Sequence, residues 1–148
     1  MASIPATLTS GLRGSERPVL LVQARLPKVA TGFLTIIPVG LIIRAVDFVR
    51  NRRLLNRTRQ RAVDLGFPLD RHMTILVSTE RLLVWRRGGG RAAQPLGGVE
   101  LSDVSTARLP FVGGGRWRFV ELVLNRGLVV RFQVEGHLAE RFVESLTR

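Results

Sequence analysis

Hydrophobic and polar residues alternate most regularly in the last third of the chain. Leu128, Val130, Phe132 and Val134 stand at every second position, separated mainly by polar residues, which predicts a strand with one buried and one solvent-facing side. Upstream, β-rich runs separated by turn residues predict a hairpin and several shorter strands. These runs comprise residues 73–78, 81–87, 98–101, 104–109 and 116–124. The fold is therefore predicted to be mainly β.

Both ends of this β region carry patterns of their own. Residues 19–25 are rich in aliphatic and β-branched side chains and lie between two prolines, which predicts a first strand. Residues 1–16 show no apolar periodicity and lack the features of a secretory signal, so we expect a flexible N-terminal tail. Near the C-terminus, hydrophobic residues at helical spacing predict an amphipathic helix that packs on the sheet. These residues are Leu138, Ala139, Phe142, Val143 and Leu146.

A different pattern interrupts the β region between residues 27 and 70. Residues 29–43 contain no charged residue, but a membrane-spanning helix needs about 20 apolar residues, and Pro38 and Gly40 interrupt this run. Residues 44–61 contain seven arginines and one aspartate, at a spacing that predicts a helix with an apolar stripe and a basic face. We therefore expect an apolar and basic helical insertion, and a single membrane span is the less favoured alternative.

The charge composition narrows the class of partner. The 148 residues include 23 basic and 11 acidic ones, which gives a net charge of +12, and Lys28 is the only lysine. Such a chain is attracted to anionic partners, and composition alone leaves both lipid and nucleic acid open. The absence of cysteine excludes disulfide scaffolds, thiolate zinc sites and a cysteine nucleophile, and it favours an intracellular location.

Residues that would form a catalytic site are not grouped in the sequence. His72 and His137 have no carboxylate or second histidine at metal-ligand spacing. Asp103 and Glu121 are isolated carboxylates in the predicted strand region. The glycine clusters lack the Lys-Ser or Lys-Thr of a phosphate-binding loop. We therefore expect a non-enzymatic protein with no metal and no cofactor.

Several short motifs lie at the predicted turns and in the predicted final helix. They are the hairpin sequence Thr79-Glu80-Arg81-Leu82-Leu83, the group Leu101, Asp103 and Val104, the turn residue Gly127, and the helix pair Phe142 and Leu146. These motifs resemble those of the bacterial pleckstrin-homology-like (PH-like) domains, over residues 73–146 with residues 19–25 as the first strand. The resemblance implies a bent seven-stranded antiparallel sheet or barrel capped by a C-terminal helix. It also implies a scaffold that binds lipids, peptides or its own copies.

The insertion departs from a compact member of this family, in which a short connection joins the first two strands. We therefore predict a PH-like domain over residues 17–148 that contains an insertion at residues 27–70. The predicted function is association with an anionic membrane surface, in the cytoplasm at the inner face of the cell membrane, or assembly there. The apolar residues predicted to enter the membrane or to dock a partner are Phe33, Leu34, Ile36, Ile37, Leu41, Ile42 and Ile43. The residues predicted to contact anionic lipid or phosphate are Arg44, Arg50, Arg52, Arg53, Arg57, Arg59 and Arg61.

Two other functions stay open at this point. One is a protein-interaction or homo-oligomerisation module whose insertion docks a partner or a second copy. The other is a basic nucleic-acid-binding protein. Salt separates the three, because nucleic-acid affinity collapses as salt rises, lipid binding falls in part, and a hydrophobic dimer hardly responds.

Overall fold

The computed structural model describes residues 4–26, 70–87, 94–125 and 127–147. These residues form seven strands, with a short helix before the first strand and a longer helix after the last. The strands are β1 (Pro18–Arg25), β2 (His72–Ser78), β3 (Arg81–Arg86), β4 (Gln94–Glu100), β5 (Val104–Arg108), β6 (Trp117–Leu124) and β7 (Leu128–Glu135). The helices are α1 (Ala6–Thr9) and α2 (Ala139–Leu146), and 3₁₀ turns occupy Leu101–Asp103 and Gly136–Leu138.

The strands pair antiparallel in one open sheet, in the order β4-β3-β2-β1-β7-β6-β5. The predicted hairpin is confirmed, since Ile75 pairs with Val84 and Val77 pairs with Leu82. Strands β4 and β5 form the two edges of the sheet. The prediction of a mainly β fold with a C-terminal helix is therefore confirmed, and the described strands form an open sheet rather than a closed barrel.

The inner face of the sheet carries the main core. Alternate residues of a strand point to the same side, so Val130, Phe132 and Val134 of β7 are fully buried together. Val129, on the opposite face of β7, is 38% exposed, as the alternation predicts. Helix α2 covers the inner face, where the rings of Phe132 and Phe142 meet edge to face with centroids 6.0 Å apart. The sequence pattern thus assigned the buried face of β7 correctly.

Residues 4–16 cover part of the outer face, where a flexible tail was expected for residues 1–16. Leu8 of α1 is buried in a cluster with Leu76, Leu83 and Trp85. Strand β2 is consequently buried on both faces from Met73 to its end. This packing could not be predicted from local patterns, because the segment is too short to show an apolar period and its contacts lie in distant strands.

Strand β4 begins earlier than predicted, at Gln94, and ends at Glu100. Pro95 and two glycines make this run a poor strand sequence, but β3 supplies backbone partners along it. At Gly98 the two strands approach so closely that a Cβ would lie 2.5 Å from the carbonyl oxygen of Leu82. Pairing with β3 therefore decides the start of β4, and Gly98 permits the close contact.

Candidate anion-binding surface

The residues predicted to contact membrane, partner or phosphate lie within residues 33–61, outside the described residues. The structure does describe the two points from which this segment extends. Strand β1 ends at Arg25, and β2 begins at His72. The surface around these two points is the described part of the sheet that adjoins residues 27–69 in the chain.

Four arginines lie at this end of the sheet. Arg25 and His72 are paired across β1 and β2. Arg86 ends β3, and the backbone N–H of Arg87 donates to the carbonyl oxygen of His72 at 3.2 Å. Arg71, His72, Arg86 and Arg87 are exposed, and Arg25 is partly buried. We call Arg25, Arg71, His72, Arg86 and Arg87 the basic end.

The basic end accounts for the whole net charge of the described residues. These residues contain twelve arginines and nine carboxylates, a net charge of +3. The basic end has four of the arginines and one adjacent carboxylate, Asp70, which also gives +3. The other described residues therefore balance to zero. The sequence adds positive charge on both sides, because residues 27–69 carry +6 and residues 88–93 contain one arginine.

The one carboxylate at this end is already engaged. Asp70 accepts a hydrogen bond from Nε of Arg86 at 2.7 Å through Oδ2. Its Oδ1 accepts from the backbone N–H of Arg71 at 2.7 Å. Asp70 therefore orients the start of β2 and offsets one of the four positive charges.

Arg25 is held by neutral partners, so its charge is not offset by them. Its Nε donates to Oε1 of Gln133 on β7 at 2.8 Å. Its guanidinium lies 4.4 Å from the ring centroid of Trp117 on β6, within the range of a cation–π interaction. A guanidinium fixed in this way keeps N–H donors in a planar fork that matches phosphate and carboxylate oxygens.

Three arginines elsewhere in the sheet, Arg81, Arg108 and Arg131, are paired with buried carboxylates. Glu121 of β6, which the sequence presented as isolated, accepts from Nε of Arg131 at 2.5 Å and from Nε of Arg108 at 2.6 Å. Burial by itself raises the pKa of Glu121, but the hydrogen bonds from Arg131 and Arg108 outweigh it and hold the pKa below its ordinary value. Strand register brings these three residues together across β5, β6 and β7.

The opposite end of β3 shows a second buried pair. Arg81 donates from Nε to Oε1 of Glu16 at 2.5 Å and from Nη2 to Oε2 of Glu16 at 2.7 Å. The hydrogen bond from Arg81 lowers the pKa of Glu16 from 4.5 to about 2, although burial acts in the opposite direction. Ser78 accepts from the backbone N–H of Arg81 at 2.9 Å and completes the turn. Arg81 therefore holds the N-terminal segment against the sheet through its ion pair with Glu16.

A groove of about 780 Å³ lies between the N-terminal segment and the edge strand β4. Its polar lining includes Arg13, Arg81 and Glu100. Arg13 is paired with Glu100 at 3.1 Å, and Arg81 is paired with Glu16. Because these arginines face carboxylates, the groove is less suited to an anionic ligand than the basic end is.

Two serine hydroxyl groups of the described residues make local hydrogen bonds. Ser105 donates to Oδ1 of Asn125 at 2.9 Å, and Ser145 donates to the carbonyl oxygen of Phe142 at 2.7 Å. His72 lies at the basic end, whereas His137 lies in the turn before α2. Within the described ranges, no three metal-ligating side chains come together.

Neither the helices nor the comparisons with known proteins supply a function. In the part of the chain that the structure describes, no helix has the length and apolar character needed to cross a membrane. No protein-family model matches the chain, and a search of curated proteins gives no match. The charge distribution and geometry of the basic end are therefore the basis for a functional conclusion.

Proposed function

We propose that the chain is a non-enzymatic PH-like domain that associates peripherally with an anionic membrane surface. The strand order, the antiparallel pairing and the helix packed on the inner face support a PH-like architecture. In this proposal, residues 27–70 form the apolar and basic helical insertion that their sequence predicts. The insertion leaves the sheet between β1 and β2.

The observation that carries the proposal is the location of the net charge. Outside the basic end and the adjacent Asp70, the described residues contain equal numbers of arginines and carboxylates, so the basic end with Asp70 holds their whole excess charge of +3. The adjoining residues 27–69 add +6. A basic residue near an anionic leaflet contributes about 1 kcal/mol of attraction, so charges gathered at one end favour an oriented approach.

The apolar run of residues 29–43 favours a membrane over a soluble polyanion. An extended apolar sequence joined to a dense arginine cluster is typical of peripheral attachment, in which acyl-chain burial and electrostatic attraction add. The membrane face that fits is the inner one, since the cytoplasmic leaflet carries the anionic lipids.

Sedimentation of the full chain with vesicles tests this proposal. The vesicles contain phosphatidylcholine alone or a mixture with phosphatidylglycerol, at low and high salt. We expect binding only to the anionic vesicles, weakened by salt. The Arg71→Ser/Arg87→Ser variant should bind roughly tenfold or more weakly, because it removes two exposed charges worth about 1 kcal/mol each.

The matched control is Arg17→Ser/Arg141→Ser, which removes two exposed arginines from other parts of the domain. Equal losses in the two variants would show that net charge alone matters and would overturn the role of the basic end. A chain that ignores anionic vesicles but forms a salt-insensitive dimer would favour the interaction module. Tighter binding to a DNA duplex than to vesicles, with a steep salt dependence, would favour the nucleic-acid binder.

A further inference from the structure

The loop between β5 and β6 exposes two adjacent hydrophobic residues. Phe111 is 65% exposed and Val112 is 105% exposed, well above the other exposed large hydrophobic residues described, Val19 at 47% and Val129 at 38%. Gly113 and Gly114 follow, and among the described residues nothing approaches the position of a Cβ at either. Phe111 and Val112 therefore project from the sheet, and we call them the apolar tip.

The apolar tip is anchored to the sheet on one side. The ring of Phe111 meets the ring of Phe119 on β6 edge to face, with centroids 5.7 Å apart and an interplanar angle of 77°. Such an edge-to-face contact is favourable beyond simple burial. Phe111 is therefore held in place although most of its surface is open to solvent.

The tip is continuous with the basic end through the outer face of the sheet. Phe119 pairs with Gln133 across β6 and β7, and Gln133 accepts a hydrogen bond from Arg25. Arg25 in turn lies over the ring of Trp117. The tip, two further aromatic rings and one arginine of the basic end thus form a single surface.

The size and shape of the apolar tip indicate whether its partner is a protein or a lipid bilayer. A stable protein interface buries about 800 Å² on each partner, whereas one phenylalanine and one valine supply only a fraction of that area. A projecting tip also needs a matching pocket on a protein, but a fluid bilayer accommodates it without one. The uncompensated charge of Arg25 and the exposed Arg116 beside the glycines match an anionic headgroup layer.

We propose that the apolar tip inserts into the interfacial layer of an anionic phospholipid bilayer. This inference rests on the proposed membrane association and adds a second point of contact to the basic end. Trp117 then lies near the headgroups, where an indole is favoured because it has both an apolar body and a polar N–H. The tip adds to the part of the affinity that salt does not screen.

The first test compares Phe111→Ser/Val112→Ser with the intact chain on phosphatidylglycerol-containing vesicles. We expect the partition coefficient to fall about tenfold, because two apolar side chains no longer leave water. Affinity for immobilised heparin, a soluble polyanion, should stay within about twofold. Val112→Ser also has a matched control in Val19→Ser, which makes the same change at another exposed position and should leave vesicle binding unchanged.

The second test locates the tip directly. The chain has no cysteine, so Val112→Cys and Val19→Cys each provide one site for an environment-sensitive fluorophore. On anionic vesicles the label at position 112 should shift to the blue and be quenched by spin-labelled lipid, whereas the label at position 19 should not change. These spectra do not depend on the strength of binding once the protein is bound.

The outcomes separate the two proposals. If the chain binds anionic vesicles but the label at position 112 stays in water and the serine variant binds normally, the insertion of the tip is overturned while the membrane association stands. If the chain does not bind the vesicles at all, the proposed function fails. A blue shift at position 112 together with weaker vesicle binding by the serine variant supports both.

Discussion

Arg81 and Arg86 begin and end the same strand, and each is paired with a carboxylate, yet their surroundings differ. The side chains of Arg81 and Glu16 are 17% and 0% exposed, whereas those of Arg86 and Asp70 are 55% and 21% exposed. At the first end, the pair closes a turn and holds the N-terminal segment. At the second end, Arg86 lies among arginines that have no such buried partner among the described residues.

This difference separates two uses of arginine in one sheet. A carboxylate that stays buried without its cation destabilises the folded state, because its desolvation is no longer offset by the ion pair. Arg81 therefore contributes to the stability of the fold. An exposed pair gains little in water, so Arg86 stays available for an external anion. Burial of the partner carboxylate, rather than the presence of an ion pair, distinguishes the structural arginines from the basic end.

The largest expected effect follows from breaking the buried pair. We expect Arg81→Ala to lower the free energy of unfolding by about 3–5 kcal/mol, because Glu16 would remain buried and unpaired. Urea unfolding followed by circular dichroism measures this. The control at the other end of β3, Arg86→Ala, should cost about 1 kcal/mol or less. Similar losses in both variants would remove the distinction between the two ends.

The pH dependence of stability sharpens the same comparison. The folded-state pKa of Glu16 is about 2, below its ordinary value of 4.5, so its contribution is fully present above 4.5 and is lost as the pH falls toward 2. The free energy of unfolding should therefore decrease over that range. The difference between the intact chain and Glu16→Gln should be largest near pH 7 and should shrink as the pH falls. A constant difference would mean that Glu16 is not stabilised in its ionised form.

The smallest expected effect is at the basic end. Arg71→Ser/Arg87→Ser should change the free energy of unfolding by no more than about 0.5 kcal/mol, because both side chains are exposed. Urea unfolding of this variant beside Arg81→Ala measures the contrast in one experiment. A loss above about 1 kcal/mol would show that these arginines support the fold and would weaken their assignment to a binding surface.

Local patterns in the sequence predicted most of the sheet. The hairpin, the two faces of β7 and the helix α2 were all correct, because the periods of strands and helices are properties of neighbouring residues. The start of β4 was missed because a neighbouring strand overrides the weak β-propensity of Pro95 and Gly97. The packing of residues 4–16 was missed because Glu16 and Arg81 are 65 positions apart.

The residues of the candidate binding surface were harder to predict from the sequence than the strands of the sheet were. The predicted contact residues between Phe33 and Arg61 lie outside the described residues, and their role stays a prediction. The basic end gave no local signal, because its arginines are dispersed among three strands and the residues next to them. The apolar tip could not be predicted either, because the sequence alone does not show whether a phenylalanine is exposed or buried.

The sequence by itself determined the mainly β class, the inner face of β7, the large positive charge and the concentration of arginine in residues 44–61. These features depend on composition or on residues close together in the chain. Only the tertiary structure decided which arginines are neutralised and which are not. Strand pairing brings Arg108 and Arg131 to the buried Glu121, and docking of the N-terminal segment brings Arg81 to the buried Glu16, whereas the arginines of the basic end have no buried carboxylate among the described residues. The physical reason is that electrostatic compensation depends on distance and burial in space, and neither follows from separation along the chain.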